Sequence, residues 1–164
     1  MQPLLERLMT TFPDAVRGVE VDTARNEITA RVAAARIVDV ARWLHDTPEA
    51  SFDHITDICS VDYPNDPERF EVVYQLLSLA HRRRIRLKAR VTEDAPQIAS
   101  VTGIWKGAEF MEREVYDLMG ITFVGHPDLR RILLPEDYEE GHPLRKDFPT
   151  EGRGWRSSFP FIPR

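Results

Sequence analysis

Phe70-Glu71-Val72-Val73-Tyr74-Gln75-Leu76-Leu77-Ser78-Leu79, then Ala80-His81-Arg82-Arg83, then Arg84-Ile85-Arg86-Leu87-Lys88-Ala89-Arg90-Val91 is the stretch on which the fold turns. Phe70–Leu79 and Ile85–Val91 read as strands, and the short turn at Ala80–Arg83 makes them a hairpin, hence antiparallel. Successive strand residues point to opposite sides, so Arg84, Arg86, Lys88 and Arg90 share one face and Ile85, Leu87, Ala89 and Val91 the other. One face is therefore apolar and the other basic. A basic strand face can bind phosphate or an acidic partner, but it is also the ordinary solvated side of a half-buried sheet. No aromatic residues interleave with these arginines, so the stacking platform of single-strand binders is missing.

Working outward, Phe52–Val61 reads as a third strand, joined to the hairpin by the loop Asp62-Tyr63-Pro64-Asn65-Asp66-Pro67. Before it, Ile37, Val40, Ala41 and Leu44 mark a helix that stops ahead of Pro48. Val16–Val21 and Ile28–Val32 form a further strand pair around a turn at Asp22–Asn26, and Leu4, Leu5, Leu8 and Phe12 a short first helix ended by Pro13. After the hairpin, Thr92–Gln97 is a polar connection. Ile104, Ala108, Met111, Val115, Leu118 and Met119 then recur at helical spacing, and Gly120 stands where a left-handed residue would end that helix. The order predicts an α+β fold: a two-layer domain with a mixed, mostly antiparallel five-stranded sheet, two helices on one face, over residues 1–121. An extended irregular C-terminal arm, residues 122–164, follows.

At 164 residues and 42% hydrophobic composition, one domain with a real core is expected. The net charge of −5 gives no support to nucleic acid or an anionic membrane as partner. The single cysteine, Cys59, cannot form an internal disulfide or ligate a cluster alone, and is expected as a small buried residue in a strand. No basic-then-apolar leader opens the chain, and no run approaches the roughly 20 apolar residues of a membrane span. Membrane contact, if any, is expected only through another chain.

The arm carries six of the twelve prolines and four of the eight glycines, yet it also holds Phe123, Ile132, Leu133, Leu134, Phe148, Trp155, Phe159, Phe161 and Ile162. Long structureless segments are uncommon in compact domains, and disordered ones are poor in large apolar side chains. The expectation is an arm that lies across a partner, with folding back over its own sheet as the alternative. Gly125-His126-Pro127 and Gly141-His142-Pro143 each force a bend. His126, His142 and the acidic run Glu136–Glu140 have the composition of a metal site. They lack helical i, i+4 spacing and each His precedes Pro in a turn, so a structural role is expected. Glu112, Glu114 and Asp117 could be paired carboxylates for acid–base work, but no nucleophile or phosphate loop completes a mechanism. No catalytic, cofactor-binding or metal residue is assigned.

Three ordered blocks carry a family resemblance. They are Glu112-Arg113-Glu114-Val115-Tyr116-Asp117-Leu118-Met119-Gly120-Ile121, Gly125-His126-Pro127-Asp128-Leu129-Arg130-Arg131-Ile132-Leu133 and Gly141-His142-Pro143-Leu144-Arg145-Lys146-Asp147-Phe148-Pro149. Residues 112–149 resemble the C-type subunit of proton-pumping NADH–quinone oxidoreductase (respiratory complex I), and weaker resemblance reaches back through Asp53–Val91 and Ser100–Trp105. Related subunits occur in F420H2 dehydrogenases and membrane-bound hydrogenases.

The resemblance implies a cofactor-free structural subunit of the peripheral arm. It would pack against the large quinone-site (D-type) subunit and near the iron–sulfur subunits B and I, with flavin, iron–sulfur clusters and quinone in partner subunits. Location at the cytoplasmic side of the inner (plasma) membrane, as part of the membrane-bound complex, is implied likewise. The residues expected to dock are Glu112, Arg113, Glu114, Tyr116 and Asp117 on the helix, with His126, Arg130, Arg131, His142, Arg145, Lys146, Asp147 and Phe148 in the later blocks. Trp155, Phe159 and Phe161 add aromatic anchors in the basic end of the arm. Two other classes stand beside this one: a small metal-dependent hydrolase using the His and carboxylate residues, and a free-standing basic-strand binding module.

Overall fold

The computed structural model describes residues 2–24 and 27–150. The elements run α1 (Gln2–Thr11), β1 (Val16–Asp22), β2 (Glu27–Val32), α2 (Ile37–Asp46), β3 (His54–Asp62), β4 (Phe70–Ser78), β5 (Arg83–Val91), β6 (Gln97–Ala99), α3 (Ala108–Met119) and β7 (Thr122–Val124). Five strands form one sheet in the order β1-β2-β5-β4-β3. β4 and β5 pair in unbroken antiparallel register from Phe70↔Val91 to Ser78↔Arg83, the hairpin read from the turn. β2 and β5 are parallel, the other neighbours antiparallel. The α+β fold with a mixed five-stranded sheet is thus observed.

Ile28, Ala30 and Val32 of β2, Ile85, Leu87, Ala89 and Val91 of β5, and Phe70, Val72, Tyr74 and Leu76 of β4 turn to one face and join a single core with the apolar stripes of the helices. Three helices cover that face rather than the two expected, because α1 also buries Leu4, Leu5 and Leu8 there. On the open face three of the four residues of the basic row have acidic partners near by. Lys88 and Arg90 pair with Glu71 at 2.9 and 3.1 Å, Arg90 also with Asp66, and Arg86 with Glu27 at 3.5 Å.

Two expectations are corrected. Cys59 is exposed. It pairs with Val73 on the edge strand β3, whereas its neighbour Ile58 takes the core-facing position opposite Tyr74. The arm is not irregular from its first residue: β7 pairs in parallel with β6, Ile98 opposite Phe123, both buried. Three-residue strands are too short to show a period, so pairing through long-range contact was invisible in the sequence.

Candidate functional site

The described part of the arm runs beside α3 from its start to its end, as a strap. One ring nitrogen of His126, Nε2, lies 3.0 Å from the Glu109 carbonyl oxygen. One turn on, the Arg113 guanidinium donates to the carbonyls of Arg130 and Arg131 at 3.1 and 2.9 Å. A further turn on, Asp117 Oδ2 accepts the backbone N–H groups of Ile132, Leu133 and Leu134 at 3.1, 2.8 and 2.8 Å, and Oδ1 accepts Arg131 Nη1 at 2.9 Å. The block Glu112–Asp117 is therefore the inner half of a clamp whose outer half is the first Gly-His-Pro block.

The second Gly-His-Pro block caps the helix. A helix leaves its last carbonyls without intrahelical partners. Here His142 Nδ1 donates to the Asp117 carbonyl at 3.1 Å, the Leu144 N–H to that of Leu118 at 3.1 Å, and Arg145 Nε to that of Met119 at 2.8 Å. Arg145 also brings positive charge to the negative end of the helix dipole. Burial, with Arg145 and Arg131 nearby, holds the His142 pKa below its usual value, although the Asp117 carbonyl opposes this. Gly120 ends the helix in the left-handed region at φ 72°. A Cβ there would overlap the His142 ring at Nε2 and stand 2.7 Å from Arg145 Nη2, so the position excludes side chains by space as well as by backbone. Gly120→Val is expected to lose on the order of 1 kcal/mol from the backbone alone, and more from displacing the cap. A thermal melt equal to the parent's would refute this account of the helix end.

Glu112 lies on the core side of α3. Its carboxylate accepts the Val101 N–H at 2.7 Å and the Ser100 hydroxyl at 2.6 Å, fixing the segment that leads from β6 into the helix. Burial pushes its pKa up in spite of these two donors. The side chain is fully buried, as are Asp117 and nearly all of Arg113. Through these bonds Arg113 and Asp117 hold the strap, and Glu112 holds the segment before the helix.

A second anchor holds the end of the strap. Arg69, at the start of β4, makes two bonds to Asp62 at 2.7 and 2.8 Å and one each to Glu93 and Asp147 at 2.5 and 2.9 Å. Lys146 donates its backbone N–H to the same Asp62 at 2.7 Å. The guanidinium groups of Arg69 and Arg145 lie 5.0 and 4.8 Å from the Phe70 ring centroid. The Arg69 bonds hold the Asp62 and Asp147 carboxyls below the usual carboxylate range. Sequence reasoning missed Asp62, Arg69 and Glu93. Their one signal was an unpaired acid and base at the two ends of a loop, Asp62 and Arg69.

Of the remaining expected residues, Glu114, Arg130, Lys146 and Asp147 are exposed, while Tyr116 and Phe148 are half-buried. Arg131 turns inward to Asp117 and the face of Tyr138, 5.7 Å away. Trp155, Phe159 and Phe161 lie outside the described residues. His126 and His142 are anchored on carbonyls two helical turns apart, about 12 Å along the axis at 1.5 Å per residue, whereas metal ligands must converge to about 2 Å from one ion. Among the described residues no group of three or more His, Cys, Asp or Glu could hold a metal ion.

The last helix of a helix-backed five-stranded sheet is thus clamped by the two Gly-His-Pro blocks, and the three blocks form one unit. The profile of the family "Respiratory-chain NADH dehydrogenase, 30 Kd subunit" matches residues 30–154, and the chain belongs to this family. The NADH-quinone oxidoreductase C subunit of Roseiflexus sp. is 51% identical over 146 residues, 89% of this chain and 82% of that protein. Its namesake from Xanthobacter autotrophicus is 50% identical over 152 residues, 93% of this chain and 71% of that protein. Among solved structures, a trypsin-resistant fragment of Nqo5 superposes with a TM-score of 0.65 at 32% identity, covering 78% of this chain and 98% of the fragment. A chain of the membrane-bound sulfane sulfur reductase, an archaeal respiratory membrane complex, gives a TM-score of 0.77 at 26% identity, covering 90% of this chain and 85% of that one.

Proposed function

We propose that the chain is the C-type scaffold subunit of the peripheral arm of respiratory NADH–quinone oxidoreductase and carries no redox centre itself. The observation that supports this most is the strap: all three blocks of residues 112–149 meet along α3 and at the Asp62–Arg69 anchor. No group of the chain is needed to move an electron, and its one cysteine cannot ligate a cluster alone. Flavin, clusters and quinone belong to the partners. Tunnelling between centres falls steeply with distance, so a rigid chain that fixes their spacing supports the rate without carrying charge.

In this reading the large quinone-site (D-type) subunit is the main partner, with iron–sulfur subunits B and I near by. Glu112, Arg113, Asp117, His126, Arg131, His142 and Arg145 position the strap. Glu114, Tyr116, Arg130, Lys146, Asp147 and Phe148 meet the partner, as do the aromatic anchors Trp155, Phe159 and Phe161. None of the helices among the described residues is long and apolar enough to cross a membrane. The association with the membrane is therefore assigned to the rest of the complex, at its cytoplasmic face.

A chain ended after Pro149 is expected to melt with the parent and to pull down less of the large subunit, with Lys146→Glu weakening capture further. Unchanged capture by the shortened chain would remove the docking role of the arm's end. Stoichiometric iron, zinc or flavin in chain refolded with those components would overturn the cofactor-free reading.

A further inference from the structure

We propose that the outward side of α3 and its strap is a docking surface for a partner subunit that presents an apolar pocket rimmed by lysine and arginine. Phe110 and Leu133 are each 59% exposed, Leu144 57% and Ile132 36%. Helix geometry and the backbone bonds of the strap relate their positions along α3. Phe110 and Asp117 are seven residues apart and so share nearly one bearing around the helix. The Asp117 carboxylate fixes the backbone of Ile132 and Leu133 at that bearing, and Leu144 is tied to the next carbonyl, that of Leu118.

Large exposed side chains scattered singly are ordinary, whereas a grouped patch marks an interaction site. The manner of its holding sharpens this. A buried carboxylate receiving three consecutive N–H groups leaves the loop little freedom, and it leaves Leu133 facing water. A monomer gains nothing from that arrangement, whereas a docking surface gains, because a loop already ordered loses little entropy on binding.

Charge names the partner. Arg113, Arg131 and Arg145 are all turned inward, onto carbonyls and Asp117. Glu114, Glu136 and Glu139 are exposed, and no ion pair to them is present among the described residues. Exposed Arg130 pairs with Asp128 at 2.9 Å, and exposed Lys146 is outnumbered by these three glutamates, so the outward face is acidic on balance and suits a cationic surround. A second copy of the chain fits poorly, since a twofold interface would set acidic rim against acidic rim. The sign is opposite to that of the arm's basic end, Arg153, Arg156 and Arg164, so the two contacts need different surfaces on the complex.

This inference rests on the subunit reading above, and the test separates the two. Full-length Leu133→Glu, Phe110→Glu and, as control, Leu79→Glu (an exposed residue just beyond β4) are expressed in cells lacking the native chain. Incorporation into the complex is read by native gel, and each isolated chain is melted and sedimented. All three are expected to melt with the parent, while Leu133→Glu and Phe110→Glu lose incorporation by about tenfold or more, as anchors of an interface core do. Leu79→Glu is expected to incorporate normally, and Glu114→Lys with Glu136→Lys to weaken incorporation most at low salt. If Leu133→Glu melts early, Phe110→Glu, on the helix surface, carries the test. Parental incorporation by both glutamate variants would sink the patch and leave the subunit reading standing. No incorporation of the parent chain would sink both. An isolated parent that sediments as a dimer, broken by Leu133→Glu, would replace the partner subunit by a second copy.

Discussion

Asp117→Ala is expected to destabilise the chain by about 3–5 kcal/mol, the range seen when one partner of a buried ionic network is removed. Asp117 is 1% exposed, and its carboxylate is the acceptor for three successive N–H groups and for Arg131. Alanine leaves those donors facing a cavity that offers them nothing, and an orphaned buried donor is costlier than a made bond is favourable. Asp117→Asn keeps one carbonyl oxygen for the N–H groups but sets an amide against Arg131, so its loss should be smaller. The pH dependence follows from the same geometry. Burial alone would raise the Asp117 pKa, but the bonds from Leu134, Leu133 and Ile132 and the Arg131 guanidinium outweigh it and leave the value depressed. A depressed carboxylate contributes stability that is present above its unfolded pKa of about 4 and disappears as pH falls through the lower folded value. Denaturant unfolding of parent and Asp117→Asn should therefore begin to draw together as pH falls below about 4 and coincide only below the depressed folded value. Equal unfolding midpoints for Asp117→Ala and parent at neutral pH would mean that the strap is not held by this residue.

Arg69→Met should cost a similar amount, about 3–5 kcal/mol, for a different reason. The Asp62 side chain has no exposure, and the Arg69 side chain only 6%. Methionine fills much of the volume but leaves Asp62 charged and buried, with the Lys146 N–H and the nearby Arg145 charge as its remaining support, while Glu93 and Asp147 lose their shared cation. Protonating Asp62 relieves that penalty, so the variant's deficit should shrink as pH falls through the carboxylate range. Pairing Arg69→Met with Asp62→Asn should recover part of the loss, a coupling that a double-mutant cycle measures directly. Strict additivity of the two changes would show that the anchor is not a unit.

The two anchors differ in how far they could be read in advance. Strand alternation in Arg84–Val91, the apolar stripes of the helices and Gly120 as a helix stop are local patterns with their own periods, and each appears in the structure where the pattern put it. The blocks of residues 112–149 were legible as a unit, but the direction of their polar side chains was not. Glu112, Arg113 and Asp117 looked like an outward polar face, and the structure turns all three inward. Helical spacing says which residues share a bearing; it does not say what occupies the space beyond them.

For the same reason Arg69 and Asp147, 78 positions apart, gave no local hint of each other. Fold class, strand faces and the helix end were determined by the sequence alone, because propensity and periodicity act over a few residues. Which polar groups are buried, which leucines remain in water, and that Cys59 stands on an open edge were decided only by tertiary structure. A buried polar group is stable only when a distant backbone or side chain meets its bonding needs, and that meeting is a property of the folded chain.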